Sequence, residues 1–244
     1  PASLHVIGKD ILRFHAIYWP AFLLAAGIKP PKRVFGHGWI LSGEEKMSKS
    51  KGNILNPLEI IEKYGIDELR YYLMKEVSHG SDGNISLKSL ENCINSDLAN
   101  NYGNLCQRIF SFIKSNCKGM VRRTKNLSDS DKRLIEETQK LTSKLRSYMN
   151  DQNLNNYIKS VINISFLTNK YINDEEPWKL KKTNVEKMNN ILHISLEQIA
   201  KISVLLNPII PKSSSKVLYA LNIKDDIRNL SFLDGSKIVK DEIK

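Results

Sequence analysis

The stretch GEEKMSKSKGN, residues 43–53, sets Lys46, Lys49 and Lys51 close together, separated by Met47, Ser48 and Ser50 and followed by Gly52-Asn53. Three ammonium groups this near one another repel. A chain keeps them together either as a solvated charge run or as a loop that grips a polyphosphate. Lysine suits the second use, because its ammonium is a mobile point charge on a long stem. Spacing alone leaves both readings open.

Two shorter stretches invite the same question. Gly8-Lys9-Asp10 follows the apolar run LHVI at 4–7. A strand, a glycine and a helix start bring free N–H groups and a carboxylate to the carboxyl end of a strand, where a nucleotide can meet them. Alone, the same pattern is an ordinary turn. In Phe35-Gly36-His37-Gly38-Trp39, two glycines let backbone approach a flat ring that His37 can stack on or hydrogen-bond; the plain alternative is a strand bulge. A fourth candidate is the helix expected over 95–117. Leu98, Tyr102, Leu105, Ile109 and Phe112 form its apolar stripe, and Asn100, Asn104 and Arg108 fall at i, i+4 and i+8 on another face. Amides and a guanidinium in a row can read the edges of unpaired bases. In an asparagine-rich chain, a solvated face explains that row more simply.

The elements that must hold these groups follow from periodicity. Residues 4–7 and 33–36 read as strands, and Trp39-Ile40-Leu41 as a further extended piece. Asp10 can cap the helix after the first strand. Ile11, Tyr18 and Phe22 share a face of that helix with His15, which reads there as a buried core histidine, and Pro20 should kink or break it. From Pro57 the pattern is helical to the end, over 57–64, 67–77, 87–117, 129–150, 154–173, 185–206 and 212–221. The clearest stripe is Val185, Met188, Leu192, Ser195, Ile199, Ile202 and Leu206. The predicted fold class is α+β and mostly α. Two strands and one crossover helix are too few for a doubly wound sheet, so the first 55 residues read as the second half of such a domain.

Composition narrows the partners. The chain has 244 residues, 41% of them apolar, enough for a real core. Lys and Arg number 37 against 26 Asp and Glu, and the net charge of +11 favours a polyanion such as nucleic acid. Cys93, Cys106 and Cys117 are odd in number and form no Cys-x-x-Cys, which argues against a disulfide framework or a zinc knuckle and for no metal site in this chain. A reducing, cytoplasmic setting is the expectation. No run of 18 apolar residues is present, so no membrane span is expected.

Taken in order, these stretches resemble a family. KMSKS after an HG pair, with SKGN following, is similar to the second signature of class I aminoacyl-tRNA synthetases. IGKDILRFHAIYWPAFL (7–23) narrows the resemblance to methionyl-tRNA synthetases, as do DELRYYL (67–73), NNYGNLCQR (100–108) and EEPW (175–178). The resemblance spans most of the chain and weakens after about residue 205. It implies a remnant of a Rossmann-type catalytic domain over 1–55, a helical region contacting the tRNA stem over 56–89, and an α-helical anticodon-binding domain over 90–244. It implies that Lys46 and Lys49 act in catalysis by closing on the ATP triphosphate as pyrophosphate leaves. Losing one such donor typically costs about 3–4 kcal/mol in the transition state. Gly8, Asp10, His37 and Gly38, with Lys49, would bind ATP, which is used with Mg2+ as a substrate and not as a resident cofactor. Ile11 and His15 would line the methionine pocket. Asn100, Asn104, Arg108 and Trp178 would read the CAU anticodon of tRNA(Met), Trp178 by stacking; the alternative for Trp178 is a plain core residue.

The departures are equally specific. The family's first signature, His-Ile-Gly-His, is nowhere in these residues; HVIG at 5–8 is not it, and the connective insertion is missing as well. The chain is thus expected to be the C-terminal half of a methionine–tRNA ligase, a monomer, inactive by itself. The alternative is a free-standing helical tRNA-binding module without chemistry. The lysine loop and the GKD turn favour the first, because an RNA module needs neither.

Overall fold

The computed structural model describes residues 2–42, 45–46, 55–78, 80–122 and 126–228, with the backbone alone for 45–46. Strand β1 (His5–Gly8) pairs in parallel with β2 (Val34–His37), in a register that sets Gly8 beside His37. The crossover between them is helical but irregular. A 3-10 turn at Lys9–Ile11 leads into a π-helical stretch, Phe14–Tyr18, and then into α1 (Trp19–Ala25). Pro20 has no N–H to donate, yet the helical run continues through it without a break. It sits in the first turn of α1, just after the ladder widens so that Trp19 N–H reaches Phe14 O. Asp10 lies inside the 3-10 turn and caps nothing; Gly8 holds the cap position.

A second sheet has the order β4-β3-β5. Strand β3 (Ile40–Ser42) runs antiparallel to β4 (Glu45–Lys46), which leads into the lysine loop, and parallel to β5 (Gly83–Ile85). Strand β5 interrupts the region expected to be all helix. Three residues, Gly-Asn-Ile, carry no alternation that could announce it.

Beyond residue 55 the helices are well punctuated. Asn56 caps α2 (Pro57–Tyr64), its Oδ1 accepting from Leu58 N–H at 3.0 Å. Gly65, at φ 108°, turns the chain into α3 (Ile66–Glu76). The stretch expected as one helix over 87–117 is three: α4 (Leu87–Cys93), a π-helical segment Ile94–Gly103, and α5 (Asn104–Asn116). The stretch expected over 129–150 divides at Lys144 into α6 (Asp129–Ser143) and α7 (Leu145–Asn150). Then follow α8 (Leu154–Glu175), α9 (Val185–Leu206) and α10 (Pro211–Ala220).

Helix α9 is the axis of the bundle. From Met188 to Leu206 nearly every residue is buried, because α5, α8 and α10 surround it. A helix buried on all faces belongs at a core. Several of its buried polar groups find partners, Ser203 Oγ with Tyr102 OH at 2.7 Å and Asn190 Nδ2 with Asp131 Oδ2 at 2.6 Å. The core runs without a break from Ile60, Leu69, Tyr71 and Tyr72 through Leu105 and Ile109 to Ile199 and Leu218.

Residues 2–42 contrast with this. Ile7 is their one buried apolar residue, and Phe14, Ile17, Phe22 and Leu24 are each more than half exposed. The face carrying Ile11, His15, Tyr18 and Phe22 is therefore uncovered, and His15 is half-buried, not a core histidine.

Candidate functional site

Two groups of candidate residues are brought together, about the β1–β2 edge and about the end of α8. At the first, the parallel register places the carboxyl ends of β1 and β2 side by side, so the Gly8-Lys9-Asp10 and His37-Gly38 turns form one edge. A Cβ on Gly8 would stand 2.5 Å from the Asp10 carboxylate and 3.8 Å from His37 Cε1. Glycine at position 8 is what lets Asp10 fold back beside His37. Only glycine fits position 38, where a Cβ would fall 2.0 Å from the Ser81 carbonyl oxygen. His37 Nδ1 donates to Gly38 O at 3.0 Å, which leaves Nε2 as the outward nitrogen. Strand ends with backbone N–H groups, a carboxylate and an imidazole are a chemically apt edge for a nucleoside. One turn further on, His15 Nδ1 donates to Ile11 O at 3.1 Å and its ring meets His5 edge-on at 6.0 Å. Lys49 and the side chain of Lys46 lie outside the described residues; only the backbone of Lys46 is described, pairing with Leu41.

The second group assembles across 70 positions of sequence. Helix α8 ends at Glu176, whose φ of 44° and ψ of 59° are left-handed. A non-glycine residue there costs on the order of 1–3 kcal/mol and persists only where its surroundings impose it. Here Glu176 N–H closes onto Ile172 O at 3.0 Å, and the following Pro177 is buried. The reversal swings Trp178 back beside α5. Arg108 then lies with its guanidinium carbon 5.6 Å from the Trp178 ring centroid, while its Nη2 donates to Asn173 Oδ1 at 2.8 Å. Trp178 remains 40% exposed, so one part of the indole packs and another faces water. Asn104 is exposed one turn before Arg108, and Asn100 is exposed on the preceding π-helical segment. Lys179, Lys181 and Lys182, all exposed, follow Trp178 in the chain; Lys179 pairs with Glu176 at 2.6 Å and Lys181 donates to Asn116 Oδ1 at 2.7 Å.

Neighbouring asparagines have different work. Asn101 is buried and accepts from Ser165 Oγ and from Asn169 Nδ2, each at 2.9 Å. That anchor on α8 fixes which side of the π-helical segment faces inward and leaves Asn100 and Asn104 outward. Nothing in the sequence separates Asn101 from its neighbours, and nothing marks Asn173 as the partner of Arg108. Local π-helical ladders are frequent at functional sites, and Asn104 N–H here bonds to Ala99 O across one.

Comparison with known proteins gives both groups a context. Residues 2–110 match the family model described as tRNA synthetases class I (M). Residues 121–233 match that described as the anticodon binding domain of methionyl tRNA ligase. The chain belongs to the methionyl-tRNA synthetase family. It is 42% identical to the methionine–tRNA ligase of Rhizobium meliloti, over 96% of this chain and 45% of the relative. It is 40% identical to that of Rickettsia felis, over 100% of this chain and 49% of the relative. A solved Mycobacterium tuberculosis methionyl-tRNA synthetase in complex with methionyl-adenylate superposes with a TM-score of 0.94 at 35% identity, over 100% of this chain and 48% of that one. The chain thus spans about half the length of the relatives it matches. Among the described residues no helix is long and apolar enough to cross a membrane.

Proposed function

We propose that this chain is the part of a methionine–tRNA ligase that carries the lysine-loop half of the ATP site and the whole anticodon reader. The observation that carries this reading is the meeting of Arg108 and Trp178, supported by Asn173, where the indole stays 40% exposed. An indole that is part-packed and part-open is ready to stack on an unpaired base, and Arg108 and Asn104 beside it offer the donors and acceptors that distinguish bases. The exposed lysines would meet phosphates and position the RNA without reading it. A further part of the reading is the division of the chain into 1–55, 56–89 and 90–244, with the middle segment contacting the tRNA stem.

In the same reading Gly8, Asp10, His37 and Gly38 hold adenosine, and Ile11 and His15 border methionine. Lys46 and Lys49 neutralise the triphosphate when the methionine carboxylate attacks the α-phosphorus. The bond formed is carboxylate oxygen to phosphorus, and the bond broken releases pyrophosphate. Positive charge placed where negative charge builds is the main contribution a protein makes to such a transfer. ATP enters with Mg2+ as a substrate; the protein acts as a monomer in the cytoplasm. The exposed face of Phe14, Ile17, Phe22 and Leu24 is read as the side that meets the rest of the catalytic domain in a protein of the relatives' length.

The reading is tested in two measurements. This chain alone should bind an RNA hairpin whose loop reads CAU better than one with another anticodon, and should support no methionine-dependent ATP–pyrophosphate exchange. In a protein extended to the relatives' length, exchange should appear, and Lys49→Ala should lower kcat about 100-fold or more with little change in methionine affinity. Binding that ignores the anticodon, or exchange by the chain alone, would defeat it.

A further inference from the structure

The segment that joins α3 to β5 converges on one carboxylate. Asp82 Oδ1 accepts from Trp39 N–H at 2.9 Å and also takes the Lys9 ammonium in an ion pair. That ammonium lies 4.4 Å from the centroid of the Trp39 ring. The next residue, Gly83, donates its N–H to Trp39 O at 2.8 Å. Residues 82 and 83 therefore hold Trp39 by both its backbone N–H and its carbonyl. Two glycines at this contact leave no room for a side chain: a Cβ on Gly38 would fall 2.0 Å from Ser81 O, and a Cβ on Gly83 2.6 Å from Val77 Cγ1.

The positions of the three partners give the contact its meaning. Lys9 lies between Gly8 and Asp10. Trp39 follows His37-Gly38 directly. Strand β5 pairs with β3, and β3 with β4, the strand that enters the lysine loop. We propose that Asp82 is a positioning residue for the nucleotide site: by clamping Lys9 and Trp39 it fixes the Gly8–Asp10 turn, the His37–Gly38 turn and the stem of the lysine loop as one unit. The proposal rests on the reading of these turns as the ATP site. The Lys9 ammonium and the Trp39 N–H also hold the Asp82 carboxyl below the usual range, so the clamp is charged at neutral pH. Exposed ion pairs add little to global stability. Geometry is another matter, since a displacement of about 1 Å in a reacting group can cost about 100-fold in rate.

Two arms test it. In this chain, Asp82→Ala should speed amide hydrogen exchange at Trp39, at Ile40–Ser42 and at Gly83–Ile85, with the amides of α8 and α9 unchanged. In a protein extended to the relatives' length, Asp82→Ala should lower the kcat of ATP–pyrophosphate exchange by about 10- to 100-fold, with the KM for methionine unchanged. Asp82→Asn keeps an acceptor for Trp39 N–H but loses the charge partner of Lys9, and should fall between. Lys9→Met combined with Asp82→Ala should be no worse than Asp82→Ala alone. Wild-type kcat in Asp82→Ala, or a loss seen only as a higher KM, would overturn the proposal. Failure of the unsubstituted extended protein to exchange at all would instead refute the ATP reading; unchanged amide exchange in Asp82→Ala would still overturn the clamp by itself.

Discussion

Asn104→Ala separates base reading from bundle packing, because the bundle does not use this side chain. Asn104 is exposed at the first position of α5, and its backbone N–H is satisfied by Ala99 O whatever the side chain is. Asparagine is a poorer helix former than alanine by roughly 0.5 kcal/mol, so the substitution should stabilise slightly. For a chain of this size that amounts to about 1–2 °C in Tm. Binding should move the other way. If the carboxamide pairs with a base edge, its removal strands that edge without water or partner, at about 1–3 kcal/mol. At 1.4 kcal/mol per tenfold, Kd should rise about 5- to 140-fold. The assay is fluorescence anisotropy with a labelled hairpin whose loop reads CAU and a second hairpin of the same length with another anticodon. Salt must be fixed, because the phosphate contribution falls steeply with it. The substituted chain should lose its preference for CAU and keep its weaker binding to the other hairpin. Lys182→Ala, on an exposed lysine nearby, should weaken both hairpins equally. A Kd for the CAU hairpin within about twofold of the unsubstituted chain, under ~0.4 kcal/mol, would refute the placing of Asn104 against a base. So would an equal loss on both hairpins.

Other substitutions and measurements probe the scaffold. Asp131 is buried and accepts from Tyr171 OH, from Asn190 Nδ2 at 2.6 Å and from Ser128 N–H at 2.9 Å; Asp131→Ala strands these donors and should lower stability by about 3 kcal/mol or more, seen in thermal unfolding as a drop of roughly 6–12 °C. Burial pushes the Cys93 and Cys106 thiols up to about 12, whereas Cys117 is half-buried with a smaller rise; at pH 8 a thiol-disulfide reagent should label Cys117 first and the other two only on unfolding, a result that equal labelling of all three would contradict. Amide exchange mapped along the chain should find 2–42 less protected than 55–228, because the first segment buries one apolar residue and the second shares one continuous core.

The helical part of this fold was legible because its signals are local and redundant. Alternation of three and four residues along 185–206, a cap at Asn184 and a proline at 211 state the same boundaries independently. The irregular segments were not legible, for a physical reason. A π-helical ladder has the residue types of an α-helix, and only packing against α8, through buried Asn101, shows where the ladder widens. Strand β5 depends on the edge of β3 and would be nothing without it. The candidate site divides in the same way. The types at Gly8, Asp10, His37, Gly38, Asn104, Arg108 and Trp178 could be picked out from motif and resemblance. Asp82 lies tens of positions from the turns it ties and Asn173 lies 65 positions from Arg108; neither carries a motif, so only the folded chain names them.

The unequal cores also bear on how the chain could work as one piece. Segment 55–89 is bound into the bundle: Asp67 accepts from Ser213 N–H at 2.7 Å, and Arg70 donates to Pro208 O at 2.7 Å and Ile209 O at 2.8 Å, at the turn between α9 and α10. Residues 2–42 reach the rest of the chain through fewer ties. Asp82 holds Lys9 and Trp39, and Arg33, just before β2, donates to Asn150 O and to Gln152 Oε1 at the loop between α7 and α8. Gln152 sits at φ 54°, a left-handed residue whose side chain also donates to Met149 O and Asn150 O within the loop. Helix α8, which follows this loop, ends at the Trp178 reversal. In the proposed reading, α8 would join a nucleotide-side segment tied near its start to a base-side indole at its end, and that link can be tested. Arg33→Ala should therefore leave the bundle's Tm and its binding to the CAU hairpin unchanged, and should raise amide exchange in β1 and β2. Equal exchange in both proteins would mean that the Arg33 tie transmits nothing to β1–β2.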